Sequence, residues 1–173
     1  MKNWYMLTVV GQDRAGIVAA LTDALFRAGA NLGEASMVRL GGNFTIMLMV
    51  QSQSDAAALE KTLAPVTQNL GVRVHIDPIE GQLHEHVIPN ARITVHGADR
   101  PGIVAQVTAA LAAHGFNVLD LDSDVGGTVA QPIYIMVLEG YAGQGVEALE
   151  RAVAPLRTGG IELNVTPIDT LVG

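Results

Sequence analysis

The sequence predicts an α+β fold built from two copies of one βαββαβ unit, each a four-stranded antiparallel sheet with both helices on one face. Three observations lead there. An eight-residue stretch occurs twice, as Gly11-Gln12-Asp13-Arg14-Ala15-Gly16-Ile17-Val18 and, 86 residues later, as Gly97-Ala98-Asp99-Arg100-Pro101-Gly102-Ile103-Val104. Each copy joins an apolar run that alternates with period two to one spaced by three and four residues, the periods of a strand and a helix. The elements that follow the first copy then recur in the same order after the second.

Tyr5, Leu7 and Val9 alternate with Met6, Thr8 and Val10 and form the first strand. Gly11 to Gly16 is a turn, with Asp13 placed to cap the helix that follows. Ile17, Leu21, Leu25 and Ala28 fall on one helical face, and Gly29 ends that helix in a left-handed conformation. A second strand runs from Asn31 to about Leu40, and Gly41-Gly42-Asn43 turns it into a hairpin. Phe44 to Val50 is almost continuously apolar, as a central strand would be. A second helix covers Asp55 to Asn69, with Leu59, Leu63, Val66 and Leu70 on its inner face and Pro65 near its last turns. Val72, Val74 and Ile76 alternate in a fourth strand.

The pattern restarts after a Pro-bounded polar linker, giving domains 1–80 and 91–173 separated by residues 81–90. Ile93 and Val95 answer Leu7 and Val9, and Asn117 answers Asn31. Ile133 to Leu138 answers Thr45 to Val50 at an offset of 88, which places two extra residues in the second hairpin loop. The unit is thus a ferredoxin-like sandwich with strand order 4-1-3-2, and its second strand lies at an edge. Two such edges can join the sheets of the two units, which would bring each turn close to a seam.

Composition bounds the function. Aromatic residues are only 4 % of the chain, so the cores must be aliphatic. The net charge is −7, and the second half is the more acidic, which argues against direct contact with nucleic acid. There is no cysteine, hence no thiolate nucleophile and no Cys-based metal site. No apolar run reaches the length of a membrane span, so the expected setting is cytoplasmic. Asp120, Asp122 and Asp124 alternate as in a Ca²⁺ loop, but Val125 stands where that loop needs Gly and Gln131 where it needs Glu. On a strand the three would share one face. His84-Glu85-His86 in the linker lacks a third convergent ligand. Met6, Met47, Met49 and Met136 fall in strands as core filler. No nucleophile elbow and no P-loop is present.

The Asp-Arg-Ala/Pro-Gly-Ile-Val turn, the Gly two residues before Asn, and the βαββαβ frame together resemble the ACT domain. That resemblance implies small ligands, often amino acids, and the regulation of enzymes or transcription without catalysis or a cofactor. Two such domains with little else resemble a regulator of transcription. Glycine is then the favoured ligand and a helix-turn-helix activator the favoured protein partner. A regulatory subunit that controls an amino-acid metabolic enzyme in trans is the alternative. The open edges also admit a second copy of the chain.

The candidate ligand residues are Gly11, Asp13, Arg14, Gly16, Ile17 and Asn31 in the first unit, and Gly97, Asp99, Arg100, Gly102, Ile103 and Asn117 in the second. Main-chain amides at a helix start, left uncovered by Gly16 and Gly102, can face a carboxylate. Asn31 and Asn117 begin the second strand, expected beside the helix start, where their side-chain amides can bond either end of an amino acid. The same residues also admit a purely structural account, with tight turns, Asp caps and Asn after a helix-ending Gly. Ala15 stands where the second copy has Pro101, so the two turns need not bind equally.

Overall fold

A computed structural model describes residues 2–80, 86–98, 101–158 and 160–168. His84, Glu85, Asp99 and Arg100, singled out above, lie outside them. The chain divides into two compact units, residues 1–84 and 85–173.

The first unit runs β1 (Asn3–Gln12), α1 (Ile17–Arg27), β2 (Asn31–Leu40), β3 (Asn43–Ser52), α2 (Ala56–Leu70) and β4 (Arg73–Pro78). Its sheet has the order β2-β3-β1-β4 and every pairing is antiparallel. Tyr5, Leu7 and Val9 of β1 are buried, as the alternation predicts, together with Phe44, Ile46, Leu48 and Val50 of β3. Against them pack Ile17, Leu21, Ala24 and Leu25 of α1 and Leu59 and Leu63 of α2. Burying each such aliphatic side chain contributes about 1.5–3 kcal/mol.

Local chemistry sets the element ends. The Asp55 carboxylate accepts from the Ala58 amide at 2.8 Å and caps α2. That helix continues through Pro65 as far as Leu70. At the start of α1, Gly16 has φ of 91° and makes no side-chain cap. Gly102 repeats this at the start of α3, with φ of 88°.

The second unit runs β5 (Ala91–Ala98), α3 (Ile103–Ala112), β6 (Phe116–Thr128), β7 (Gln131–Ala142), α4 (Val146–Val153), a 3-10 turn (Ala154–Leu156) and β8 (Ile161–Pro167). Its sheet order, β6-β7-β5-β8, is the same frame. Pro155 falls in the 3-10 turn that ends α4, whereas Pro65 sits inside α2.

Two sequence expectations need correction. Leu7 pairs with Leu48 and Ile93 with Leu138, so Leu138 answers Leu48 at an offset of 90. The second hairpin therefore gains four residues rather than two, and they lengthen its paired strands while the turn stays two residues long. A hairpin insertion of even length preserves which side chains face inward. Met47 is not core filler: its neighbours Ile46 and Leu48 take the inward positions, and it is 46 % exposed on the other face.

All ten residues of β2 are exposed, including Leu32, Met37, Val38 and Leu40. β6 repeats this from Asn117 through Val125. Among the described residues no helix is long and apolar enough to cross a membrane.

The left-handed Gly16 sits in open space, with nothing within 4 Å of an added Cβ. Gly16→Ala should therefore cost about 1–2 kcal/mol through backbone strain alone. Urea unfolding measures this, and an unchanged midpoint would mean that the turn relaxes out of the left-handed region.

Candidate functional site

The β1–α1 turn of the first unit borders a cavity of about 400 Å³. Asp13, Arg14, Ala15 and Gly16 form one wall and the first turn of α1 continues it. Met37 and Arg39 of β2, with Phe44 of β3, form the other. Both walls lie on the helix side of the sheet. Phe44 and Ile17 are each 2 % exposed and give the cavity an apolar floor.

Charge is concentrated at the mouth. The Arg39 guanidinium meets the Asp13 carboxylate at 2.5 Å. The Asp13 backbone amide donates to the Gly42 carbonyl at 3.0 Å, which ties the turn to the β2–β3 hairpin. Asp13 is thus not the cap of α1; its side chain turns to the cation on β2. Arg14 points elsewhere and donates to the Asn69 carbonyl at 2.9 Å. A cation there interacts favourably with the carbonyl end of α2. The turn is consequently fixed at three points, on the hairpin, on β2 and on α2.

The remaining sequence candidates separate. Gly11 is required by its neighbour strand, since an added Cβ would lie 2.7 Å from Val72 Cγ1. Gly97 is similarly close to β8, at 3.2 Å from the Gly160 carbonyl oxygen. Ile103 is buried in the core of the second unit. Gly102 is exposed at the start of α3.

Asn31 and Asn117 were expected beside the helix start of their own units, and they are not there. Both β1 and β2 run antiparallel to β3, so β2 begins at the end of the sheet where β1 begins. Asn31 pairs with Gln51 while Gly11 pairs with Phe44, seven positions apart along β3. At about 3.3 Å per residue that is about 23 Å. Asn117, paired with Tyr141, stands equally far from Gly97, paired with Tyr134. The eleven residues of α1 carry the chain down the sheet before β2 starts.

Arg39, Met37 and Phe44 were not singled out by the sequence. The available signal was weak: Arg39 is a cation in an edge strand that otherwise carries mostly small and apolar side chains. Only the strand register places it across from the turn. Asp120, Asp122 and Asp124 do share one face of β6, pairing with Glu139, Val137 and Ile135. Among the described residues no group of three or more His, Asp or Glu converges to hold a metal ion.

This frame and turn define an ACT domain. Residues 5–77 and residues 91–152 each match an ACT-domain model, and the chain belongs to that family as a tandem protein. Over 72 residues it is 40 % identical to a UPF0237 protein of Lactococcus lactis, covering 41 % of this chain and 83 % of that one. It is also 27 % identical over 123 residues to the glycine cleavage system transcriptional repressor of Escherichia coli. That match takes in 70 % of this chain and 65 % of the repressor, just under two thirds of its length. The same fold occurs in a crystal structure of an unknown protein from Galdieria sulphuraria, at a TM-score of 0.69 and 23 % identity, covering 98 % of this chain and all of that one. A crystal structure assigned as a glycine cleavage system transcriptional repressor shares it too, at a TM-score of 0.69 and 18 % identity, with 97 % and 99 % of the two chains covered.

The Arg14 contact anchors the turn without closing the cavity. Arg14→Ala should lower stability by about 0.5–1 kcal/mol. Its effect should fade with added salt, because the contact is exposed. Denaturant melts at low and high ionic strength check both parts, and a salt-independent loss would assign Arg14 a packing role instead.

Proposed function

We propose that the chain is a non-enzymatic regulator that senses a small amino acid and controls transcription through a protein partner. Glycine is the first ligand to consider and a transcriptional activator the first partner. The observation that carries this reading is the cavity at the Asp13–Gly16 turn, where a paired carboxylate and guanidinium flank an apolar floor. A free amino acid carries both charges and little apolar area, so its affinity must come from its charged ends. The similarity to the repressor of Escherichia coli supports the transcriptional part. The net charge of −7 favours action through another protein over direct contact with DNA.

Asn31 and Asn117 enter this reading as residues offered to a neighbouring ACT unit. An antiparallel partner edge sets the start of one edge strand against the end of the other, which is where the turn of the partner unit lies. The exposed apolar side chains of β2 and β6 suit such an edge contact. A second copy of the chain is accordingly a further partner.

Thermal unfolding tests the sensing step. A ligand that binds only the folded chain at 100 times its Kd stabilises it by about 2.7 kcal/mol. Glycine, alanine or serine at millimolar concentration should raise the melting temperature, and no shift with any amino acid would refute sensing. Affinity capture from cell extract tests the rest. An activator as bound partner supports repression, and a biosynthetic enzyme in its place would move the reading to a regulatory subunit acting in trans.

A further inference from the structure

We propose that Arg39 is the residue that makes the first unit the amino-acid-binding one, and that the second unit has lost the equivalent site. This rests on the reading of the chain as an amino-acid sensor and adds to it a recognition element and a stoichiometry.

The Asp13–Arg39 pair is a poor device for stability. Arg39 is 68 % exposed and Asp13 25 %, and ion pairs so accessible to water contribute about 0–1 kcal/mol. It is better suited to recognition. A guanidinium has five N–H donors, and one carboxylate engages only part of them. The rest remain for a ligand carboxylate, which Arg binds in a two-pronged geometry. Asp13 keeps acceptor capacity for a ligand ammonium. The pair therefore presents a negative and a positive group side by side, the inverse of the two ends of an amino acid. Met37, Phe44 and Ile17 lie beside it to receive the side chain.

The second unit fixes the comparison. Gly11 and Arg39 both pair with Phe44, and Gly97 and Val125 both pair with Tyr134. Val125 thus occupies the position of Arg39, and Ser123, paired with Met136, occupies that of Met37, paired with Ile46. No Lys or Arg occurs anywhere in β6 or β7. Asp120, Asp122 and Asp124 pair with Glu139, Val137 and Ile135 and so lie on the opposite face of β6. A ligand carboxylate at the second site would meet the apolar Val125 where the first unit offers Arg39.

Titration calorimetry on the full chain tests this with glycine, L-alanine, L-serine and L-leucine, followed by the amide of whichever binds most tightly. The amide keeps the ammonium and lacks the carboxylate. Wild type should bind one amino acid per chain. Arg39→Val, which copies the second unit, should weaken the amino acid at least tenfold and leave the weaker binding of the amide nearly unchanged. Arg39→Lys should restore part of the loss. Equal losses for acid and amide would reduce Arg39 to a structural role and overturn the proposal. So would two equivalent sites per chain, or full affinity in Arg39→Val; amino-acid sensing would survive either result. If wild type bound none of the four, sensing itself would fall and the proposal with it.

Discussion

The organisation of each unit depends on how much of a four-stranded sheet two helices can cover. In the first unit the helices bury the inner faces of β1 and β3. They leave β2 with no buried residue. The edge strand is held by its ladder to β3 and by the Arg39–Asp13 pair, and its side chains lie outside the core. Met37 and Arg39 are available for that reason. The site forms where the uncovered strand passes the turn that opens α1, and the gap between them is the cavity. An uncovered edge normally carries a risk of unwanted pairing. Here the same exposure supplies the cavity wall.

The turn itself is over-determined. Its left-handed glycine sends the chain from strand to helix without a side-chain cap. Asp13 lies three residues before the Gly16 cap position, and its carboxylate meets Arg39. The Asp13 amide fastens to the hairpin and the Arg14 side chain to the end of α2. Such anchoring would lower the ordering cost of binding the proposed ligand.

Much of the fold was legible in the sequence because its determinants are local. The alternation of Tyr5, Leu7 and Val9, the left-handed Gly29 and the duplicated stretch each act within a few residues. The strand order followed from the βαββαβ frame. What was not legible is non-local. Asp13 looked like a cap because N-caps are read from neighbours, and its actual partner is contributed by another strand. Asn31 looked close to the turn because Gly29 and Asn31 belong to the same motif, yet a helix separates the two ends. The hairpin insertion was misplaced because the apolar run in β7 matches β3 at two offsets of equal parity. Only the hydrogen-bonded register decides between them.

Duplication gives two frames, and the register shows how little chemistry must change for them to diverge. Gly16 and Gly102 have almost the same φ, and the inward positions of β3 and β7 are apolar in both units. Those features belong to folding and are retained in both. The residues that differ, Arg39 against Val125 and Met37 against Ser123, lie on edge strands where the core imposes no demand. A binding site on an uncovered strand can therefore be lost in one copy without loss of fold. The same argument links site and surface. Because Arg39 belongs to the edge strand as well as to the cavity, a ligand bound as proposed would touch the strand that a partner would pair with. That coupling is limited to the difference in ligand affinity between the paired and unpaired edges. A ligand reaching only the turn, with no contact to β2, would have no such lever.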